Sequence, residues 1–369
     1  MISKPNHQHM QAALALGRRG LGRVWPNPAV GCVIVDTAGN VVGRGWTQQG
    51  GRPHAETEAL SRAGGRAKGG TAYVTLEPCS HNGQTPPCAE ALINADIARV
   101  VVAVEDPDAR VSGRGIAMLE AAGIAVERNV LEAEARFDQA GFLSKVEQGR
   151  PLIALKSATS LDGRIATEFG HSQWITGPEA RQRGHMLRAE YDAIIVGIGT
   201  ALADDPSLNC RVAGLGEASP LRIVIDSKLQ LDPASDLAKR ACDQPAWVFT
   251  TEAASAQHRS RLEALGLRII DAATDQNGRV DVKSVAHKLG DEGVTRALIE
   301  GGGGLAASFL QADLIDRVHS FRAGLIIGGD GRAAIGPLGL DRVDDAPRFI
   351  EHNTRQVGVD SEQLFVRQQ

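Results

Sequence analysis

Aromatic side chains make up only 4% of the 369 residues, and no run of lysine or arginine exceeds a pair such as Arg18-Arg19. With a formal net charge of −4, the chain lacks both the stacking platform and the basic stripe of a protein that tracks a nucleic-acid backbone. No apolar stretch is long enough to span a bilayer, and the polar start from Met1 to Met10 lacks the apolar core of a secretory signal. The expectation is a cytoplasmic protein with no nucleic-acid or membrane partner. Cysteine is scarce too, at five residues without framework spacing, so Cys32, Cys210 and Cys242 read as reduced thiols. What remains is ordinary globular material, 43% hydrophobic and 23% charged, long enough for two domains with their own cores.

The remaining cysteines carry the strongest chemical signal. His54 stands in Pro53-His-Ala-Glu56, Cys79 follows Glu77-Pro78, and Cys88 follows Pro86-Pro87. Two thiolates and an imidazole suit zinc, and three protein ligands leave a fourth tetrahedral position for water, the catalytic rather than the structural arrangement. Glu56 can then take a proton from that water and return it to a leaving amine. His-x-Glu, Pro-Cys and a second Cys form the pattern of zinc-dependent base deaminases, although eight residues separate these cysteines where many deaminases have two. Residues i and i+2 diverge on a helix, so His54 and Glu56 converge only if the histidine sits at or just before a helix start. Cys88 is expected near the unpaired N–H groups that open another helix. A closed structural site with His81 as fourth ligand is the plainer alternative, and it leaves Glu56 without a purpose.

Hydrophobic periodicity predicts helices over 6–20, 54–63, 116–122 and 131–146, with strands at 30–35, 41–46, 71–76, 99–104 and 124–128. Asn27, in the proline-rich turn before the first strand, is an amide that could bond a substrate ring. Gln148-Gly-Arg-Pro151 is the best boundary, dividing the chain into domains 1–147 and 148–369. The second half repeats the alternation: strands at 152–156, 193–197, 221–226, 246–250, 268–271, 296–300 and 317–323, helices at 178–190, 253–265, 282–290 and 305–310. The tail 348–367 reads as two antiparallel strands. The class is α/β, with helices covering both faces of a sheet and ligands at strand ends. Ile299-Glu-Gly-Gly-Gly-Gly-Leu305 joins strand to helix through four glycines, where backbone can approach a phosphate or simply turn. Arg188 and Arg211 are candidates for a bidentate grip on a substrate phosphate, or solvated surface charges.

Taken in order, Pro26-Asn-Pro-Ala-Val-Gly31, Pro53-His-Ala-Glu56, the segment Glu77 to Cys88, Lys156 to Arg164, Ser172-Gln-Trp174, Thr200 to Pro206 and Glu300-Gly-Gly302 resemble the bifunctional riboflavin-biosynthesis deaminase/reductase family over nearly the whole chain. The eight-residue gap between cysteines is characteristic of that family. The resemblance implies a cytidine-deaminase-like three-layer αβα domain followed by a dihydrofolate-reductase-like α/β domain. The first would hydrolyse the 2-amino group of 2,5-diamino-6-ribosylamino-4(3H)-pyrimidinone 5′-phosphate; the second would use NADPH to reduce the ribosyl group to ribityl. It further implies zinc on His54, Cys79 and Cys88, Glu56 as proton shuttle, and Asn27 and His81 as substrate contacts. Ala158, Trp174, Thr200, Asp204 and the loop Gly302, Gly303, Gly304, Leu305, Ala306, Ala307, Ser308 would contact cofactor, and Ser172, Arg188, Leu208, Arg211 and Glu300 substrate. Lys156 and Asp162 match the family motif without a definite role. Gly304 stands where relatives often carry a larger or hydroxylated residue. The partner is a small phosphorylated pyrimidine, and the protein is expected to be a homo-oligomer.

Two rivals stand beside this reading. One is a nucleoside or nucleic-acid deaminase with an unrelated accessory domain, disfavoured by the scarcity of aromatics and the acidic charge. The other is a zinc-stapled binding module without catalysis, which release of ammonia would exclude.

Overall fold

The computed structural model describes residues 4–81, 86–108 and 111–368, so residues 82–85 of the loop between the two motif cysteines lie outside the described residues. The chain divides into two compact units, Met1–Gly149 and Arg150–Gln369.

The first unit runs α1 (Lys4–Gly17), β1 (Gly31–Val35), β2 (Val41–Trp46), α2 (Ala55–Ala63), β3 (Thr71–Val74), α3 (Cys88–Asn94), β4 (Arg99–Val102), α4 (Arg114–Ala121), β5 (Ala125–Glu127) and α5 (Glu132–Gln148). Its sheet has the order β2-β1-β3-β4-β5, with the β2-β1 and β1-β3 pairs antiparallel and the β3-β4 and β4-β5 pairs parallel. The alternation of strand side chains puts helices on both faces. Gly31 faces α1, where an added Cβ would lie 1.9 Å from the Ala13 carbonyl oxygen. Gly45, paired with the neighbouring Cys32, faces the other way onto α2, 2.1 Å from the Ala55 oxygen. Only glycine allows these approaches, and so the two helix layers are seated by residues without side chains. Met10, Leu14, Ile34, Val74, Val101 and Leu119 are among the residues that fill the resulting core.

The second unit runs β6 (Leu152–Thr159), β7 (Arg164–Ala166), α6 (Pro178–Glu190), β8 (Ala193–Gly197), α7 (Ile198–Asp204), β9 (Leu221–Ile225), α8 (Asp236–Lys239), β10 (Ala246–Thr250), α9 (Ala256–Glu263), β11 (Arg268–Asp271), α10 (Val282–Asp291), β12 (Arg296–Glu300), α11 (Gly303–Gln311), β13 (Arg317–Arg322), β14 (Arg332–Ala333), β15 (Phe349–Val357) and β16 (Asp360–Arg367). The main sheet has the order β11-β10-β9-β8-β12-β6-β13-β16-β15. It is parallel from β11 to β13 and antiparallel across β13-β16-β15, while β7 and β14 form a separate ribbon. Parallel strands place their carboxyl ends along one edge, where Gly197, Ile225, Thr250 and Glu300 terminate.

Several element ends differ from the sequence expectation. β6 continues through Ser157-Ala-Thr159 because β13 pairs with it along its length, from Arg317 opposite Ala154 to Arg322 opposite Thr159, and cross-strand pairing overrides local polarity. Helix α9 starts at Ala256, not at 253, because the Ser255 hydroxyl caps it by accepting from the His258 N–H at 3.4 Å. Helix α11 starts at Gly303, two residues before the expected 305. Helix α7 and the β7/β14 ribbon were not expected. Seven residues containing a glycine, and strands of three and two residues, are too short to show a period.

Candidate functional sites

In the first unit, His54 is the residue before α2, with extended backbone (φ −70°, ψ 160°), and Glu56 lies in the first turn. This break in periodicity lets the two side chains converge. His54 Nδ1 lies 3.2 Å from Cys88 Sγ and 3.8 Å from Cys79 Sγ, and the three candidate ligand atoms all fall within 4.8 Å of one another. A tetrahedral zinc with Zn–N about 2.0 Å and Zn–S about 2.3 Å would separate nitrogen from sulfur by about 3.5 Å. The donors therefore fit that ion in kind and spacing.

Cys88 opens α3, and its backbone N–H donates to Cys79 Sγ at 3.3 Å. The expected helix-start donor thus serves the other sulfur. A hydrogen bond from the Cys88 thiol, opposed by burial and aided by His54 and this N–H, drives Cys79 down to about 4. The same pairing and burial push the Cys88 thiol up, and a divalent cation would displace the thiol protons on binding. Burial, then the charge of Cys79, raises Glu56 to about 7, in the range where a carboxyl both accepts and gives up a proton.

The surrounding loops are tied down from below. Glu77, two residues before Cys79, is buried, and its carboxylate accepts from the N–H groups of Asp106, Gly113, Gly115 and Ile116 at 2.9–3.3 Å. A cavity of about 420 Å³ opens over the cluster, lined among others by Asn27, Thr47, Glu56, His81 and Phe142. Asn27 fits because Gly51 has no side chain: a Cβ there would lie 1.9 Å from Asn27 Nδ2. Gln139 on α5, which the sequence reading did not single out, donates from Nε2 to the Ala29 oxygen at 2.8 Å and pins the same turn. Gln139 is buried on its helix face, and that bond satisfies its amide.

In the second unit, the candidate residues meet along the carboxyl ends of the strands. Arg188 on α6 bonds Glu300 at the end of β12 through Nε and Nη2, at 2.9 and 3.0 Å, with Lys156 Nζ 3.8 Å from the same carboxylate. Burial pushes Glu300 up, but the charges of Arg188 and Lys156 outweigh it and hold the carboxyl at about 2. Two residues expected to hold substrate therefore first hold each other. Beyond Glu300, Gly301 and Gly302 adopt φ of +86° and +81°, and Thr200 packs against both. The N–H groups of Gly303, Gly304 and Leu305 follow in the first turn of α11, where no intrahelical acceptor is available. This is an anion cradle of the kind a dinucleotide phosphate fits.

The other candidates fall into place unevenly. Ala158 is half-buried on β6, and Asp204 ends α7 exposed. Trp174 is 65% exposed, with the Arg181 guanidinium 4.5 Å from its ring centre. Ser172 lies in the same exposed segment. Ala306, Ala307 and Leu208 are buried, the last at φ +52°. Ser308 turns its hydroxyl back to the Gly304 oxygen at 3.1 Å. Asp162 accepts from Ser160 Oγ at 2.6 Å and from the N–H groups of Ile327 and Gly328 at 3.2 and 2.8 Å, so it ties two loops together.

Fold and sites together define a two-part α/β protein, with a Cys-Cys-His deaminase-type metal centre in one unit and a strand-end anion cradle in the other. Residues 3–104 match the cytidine and deoxycytidylate deaminase zinc-binding region, and residues 151–361 match the RibD C-terminal domain. The chain is 41% identical to the riboflavin biosynthesis protein RibD of Escherichia coli, across 95% of this chain and 96% of that one. It is 37% identical to RibD of Aquifex aeolicus, across 100% of both. Among solved structures, RibD of Acinetobacter baumannii superposes with TM-score 0.87 at 36% identity over 99% of each chain. A diaminohydroxyphosphoribosylaminopyrimidine deaminase/5-amino-6-(5-phosphoribosylamino)uracil reductase from Thermotoga maritima does so with TM-score 0.85 at 33% identity over 99% of each. The chain belongs to the RibD family of bifunctional deaminase/reductases of riboflavin biosynthesis.

Proposed function

We propose that the first unit hydrolyses the 2-amino group of 2,5-diamino-6-ribosylamino-4(3H)-pyrimidinone 5′-phosphate, and that the second reduces the ribosyl group of the product to ribityl with NADPH. Water is consumed and ammonia released in the first step. In the second, a hydride and a proton are added. His54, Cys79 and Cys88 hold zinc, which when bound supplies an electrophilic site for water. Glu56, buried beside them and poised near 7, takes a proton from that water and delivers it to the departing amine. Asn27 and His81 meet the pyrimidine. The domain assignments are residues 1–147 for deamination and 148–369 for reduction.

In the reductase unit Gly302 to Leu305 offer backbone donors to cofactor phosphate, joined by Ala158, Trp174, Thr200, Asp204 and Ser308. NADPH supplies the hydride when bound. Arg211, exposed at its position, takes the substrate's phosphate; Ser172, Leu208, Arg188 and Glu300 complete the substrate side. The enzyme works on a soluble phosphorylated pyrimidine in the cytoplasm, as a homo-oligomer. An acidic balance of −4 and the lack, among the described residues, of a helix long and apolar enough to cross a membrane support that setting.

The observation that carries the reading is the convergence of one imidazole and two sulfurs within 4.8 Å next to a buried carboxyl. Metal analysis combined with separate assays of ammonia release and NADPH oxidation tests it. One zinc per chain is expected, and Cys79→Ala should lose metal and ammonia release together. Full ammonia release by a zinc-free variant would refute the ligand assignment.

A further inference from the structure

His185 lies on α6 one turn before Arg188, and its ring is held at both nitrogens. Nδ1 is 3.2 Å from the Asn209 carbonyl oxygen, and Nε2 is 3.3 Å from Arg211 Nε. A carbonyl oxygen only accepts and an arginine Nε–H only donates, so the two neighbours are satisfied together by one form alone: neutral imidazole with its proton on Nδ1. The same Asn209 oxygen accepts from Arg188 Nη1 at 3.0 Å. The backbone of His185 is held as well, because Cys210 Sγ donates to its oxygen at 3.3 Å.

The two arginines near this ring are used differently. Arg188 has Nε and Nη2 on Glu300 and Nη1 on Asn209, so it is committed to the protein. Arg211 is exposed, and its bond to His185 occupies Nε, leaving the terminal nitrogens for a ligand. A guanidinium fixed in its plane loses less freedom when it meets a phosphate than a swinging one does.

We propose that His185 is a positioning residue of the reductase, accepting from Arg211 Nε–H and holding that guanidinium ready for the substrate's phosphate; the proposal rests on the assignment of Arg211 to that phosphate. The charged groups facing His185 are Arg188, Arg211 and Glu300. Burial, then the two arginines, keep its pKa below the ordinary 6.5, so the ring is neutral at pH 7. Glu300 is already ionised down to about 2, and the arginines stay charged. As pH falls below 6.5, protonation of His185 removes the acceptor and sets a cation against Arg211.

The test is steady-state kinetics of NADPH oxidation on the deaminated ribosylamino-uracil phosphate and on its dephosphorylated counterpart. Wild type, His185→Ala, His185→Gln, Arg211→Ala and the double alanine variant are compared. Arg211→Ala should raise KM for the phosphorylated substrate about tenfold or more, the usual scale for a charge-assisted contact. His185→Ala should raise it severalfold, with kcat, the KM for NADPH and the KM for the dephosphorylated compound much less affected. The double variant should be no worse than Arg211→Ala, because the histidine acts through the arginine. Gln, whose amide oxygen reaches where Nε2 stands, should restore most of the loss. As pH falls below 6.5, wild-type KM should rise more than that of His185→Gln, with the substrate phosphate's own titration common to both. Additive losses in the double variant, or equal losses on the dephosphorylated compound, would overturn the proposal. An unchanged KM in Arg211→Ala would instead remove the phosphate assignment beneath it.

Discussion

In the first unit the reacting groups are side chains: an imidazole and two sulfurs within 4.8 Å of one another, and a carboxyl raised to about 7 beside them. In the second unit, the anion cradle is backbone, the N–H groups of Gly303 to Leu305 after the turn at Gly301 and Gly302, and the two arginines are held by other side chains, Arg188 by the Glu300 carboxylate and Arg211 by the neutral His185 ring. The first kind of site depends on a few atoms with irreplaceable chemistry. The second depends on chain path and on how its charges are held. Substitutions should therefore act on the first mainly through the chemical step, and on the second mainly through binding and stability.

The sharpest break in that comparison is Glu56→Gln. The amide is nearly isosteric but can neither take nor give the proton, and such groups contribute about 10²–10⁴-fold to rate. Ammonia release should fall by that factor with zinc retained. If the deaminated intermediate is supplied directly, NADPH oxidation should proceed near the wild-type rate. Collapse of both activities would show that the units are not chemically independent.

Glu300→Ala tests the other side. Removing one partner of a buried pair leaves Arg188 as an uncompensated buried charge, which costs about 3–5 kcal/mol. Denaturant unfolding followed by circular dichroism, a readout independent of the substrate side that Glu300 also serves, should show the reductase unit destabilised by this amount, with ammonia release unaffected. Because the carboxyl lies at about 2 in the fold against an ordinary 4.5, its contribution is complete above pH 4.5 and lost as pH falls toward 2. The gap between wild type and Glu300→Ala should narrow over that interval. A gap independent of pH there would contradict the ion-pair account.

This contrast also governs what could be read in the sequence. His54, Glu56, Cys79 and Cys88 are legible because few chemistries use those types at those spacings, and Pro53 marked the helix start that makes His54 and Glu56 converge. The alternation of strands and helices was legible through periodicity, and so was the terminal β15/β16 pair. The Arg188–Glu300 pair was not, because 112 residues separate its members and nothing in either local pattern points to the other. His185 and Gln139 were missed for the same reason: their partners, Arg211 and Ala29, are set by tertiary path. Helix α7 escaped because packing of a short segment, not its pattern, decides its state.

The smallest expected effect comes from neighbouring glycines of α11. Gly304 has nothing within 4 Å of an added Cβ, and its φ is not in the left-handed region. Gly304→Ala should therefore stabilise the reductase unit by about 0.4–1 kcal/mol, by restricting the unfolded chain. The KM for NADPH should hardly change, since the methyl removes no N–H donor. Gly303 differs although it is also helical. A Cβ there would sit 2.9 Å from the Ala333 oxygen and 3.2 Å from the Gly336 nitrogen, in the segment whose Gly336 N–H donates to the Gly303 oxygen at 2.9 Å. Gly303→Ala must push that segment away and shift the first turn with it, so it should raise the KM for NADPH while lowering stability. The pair separates a cradle made by chain path from one made by side-chain contact. If Gly304→Ala weakens NADPH and Gly303→Ala does not, the donors are not where the backbone of α11 puts them, and the cofactor phosphate belongs elsewhere along the strand ends.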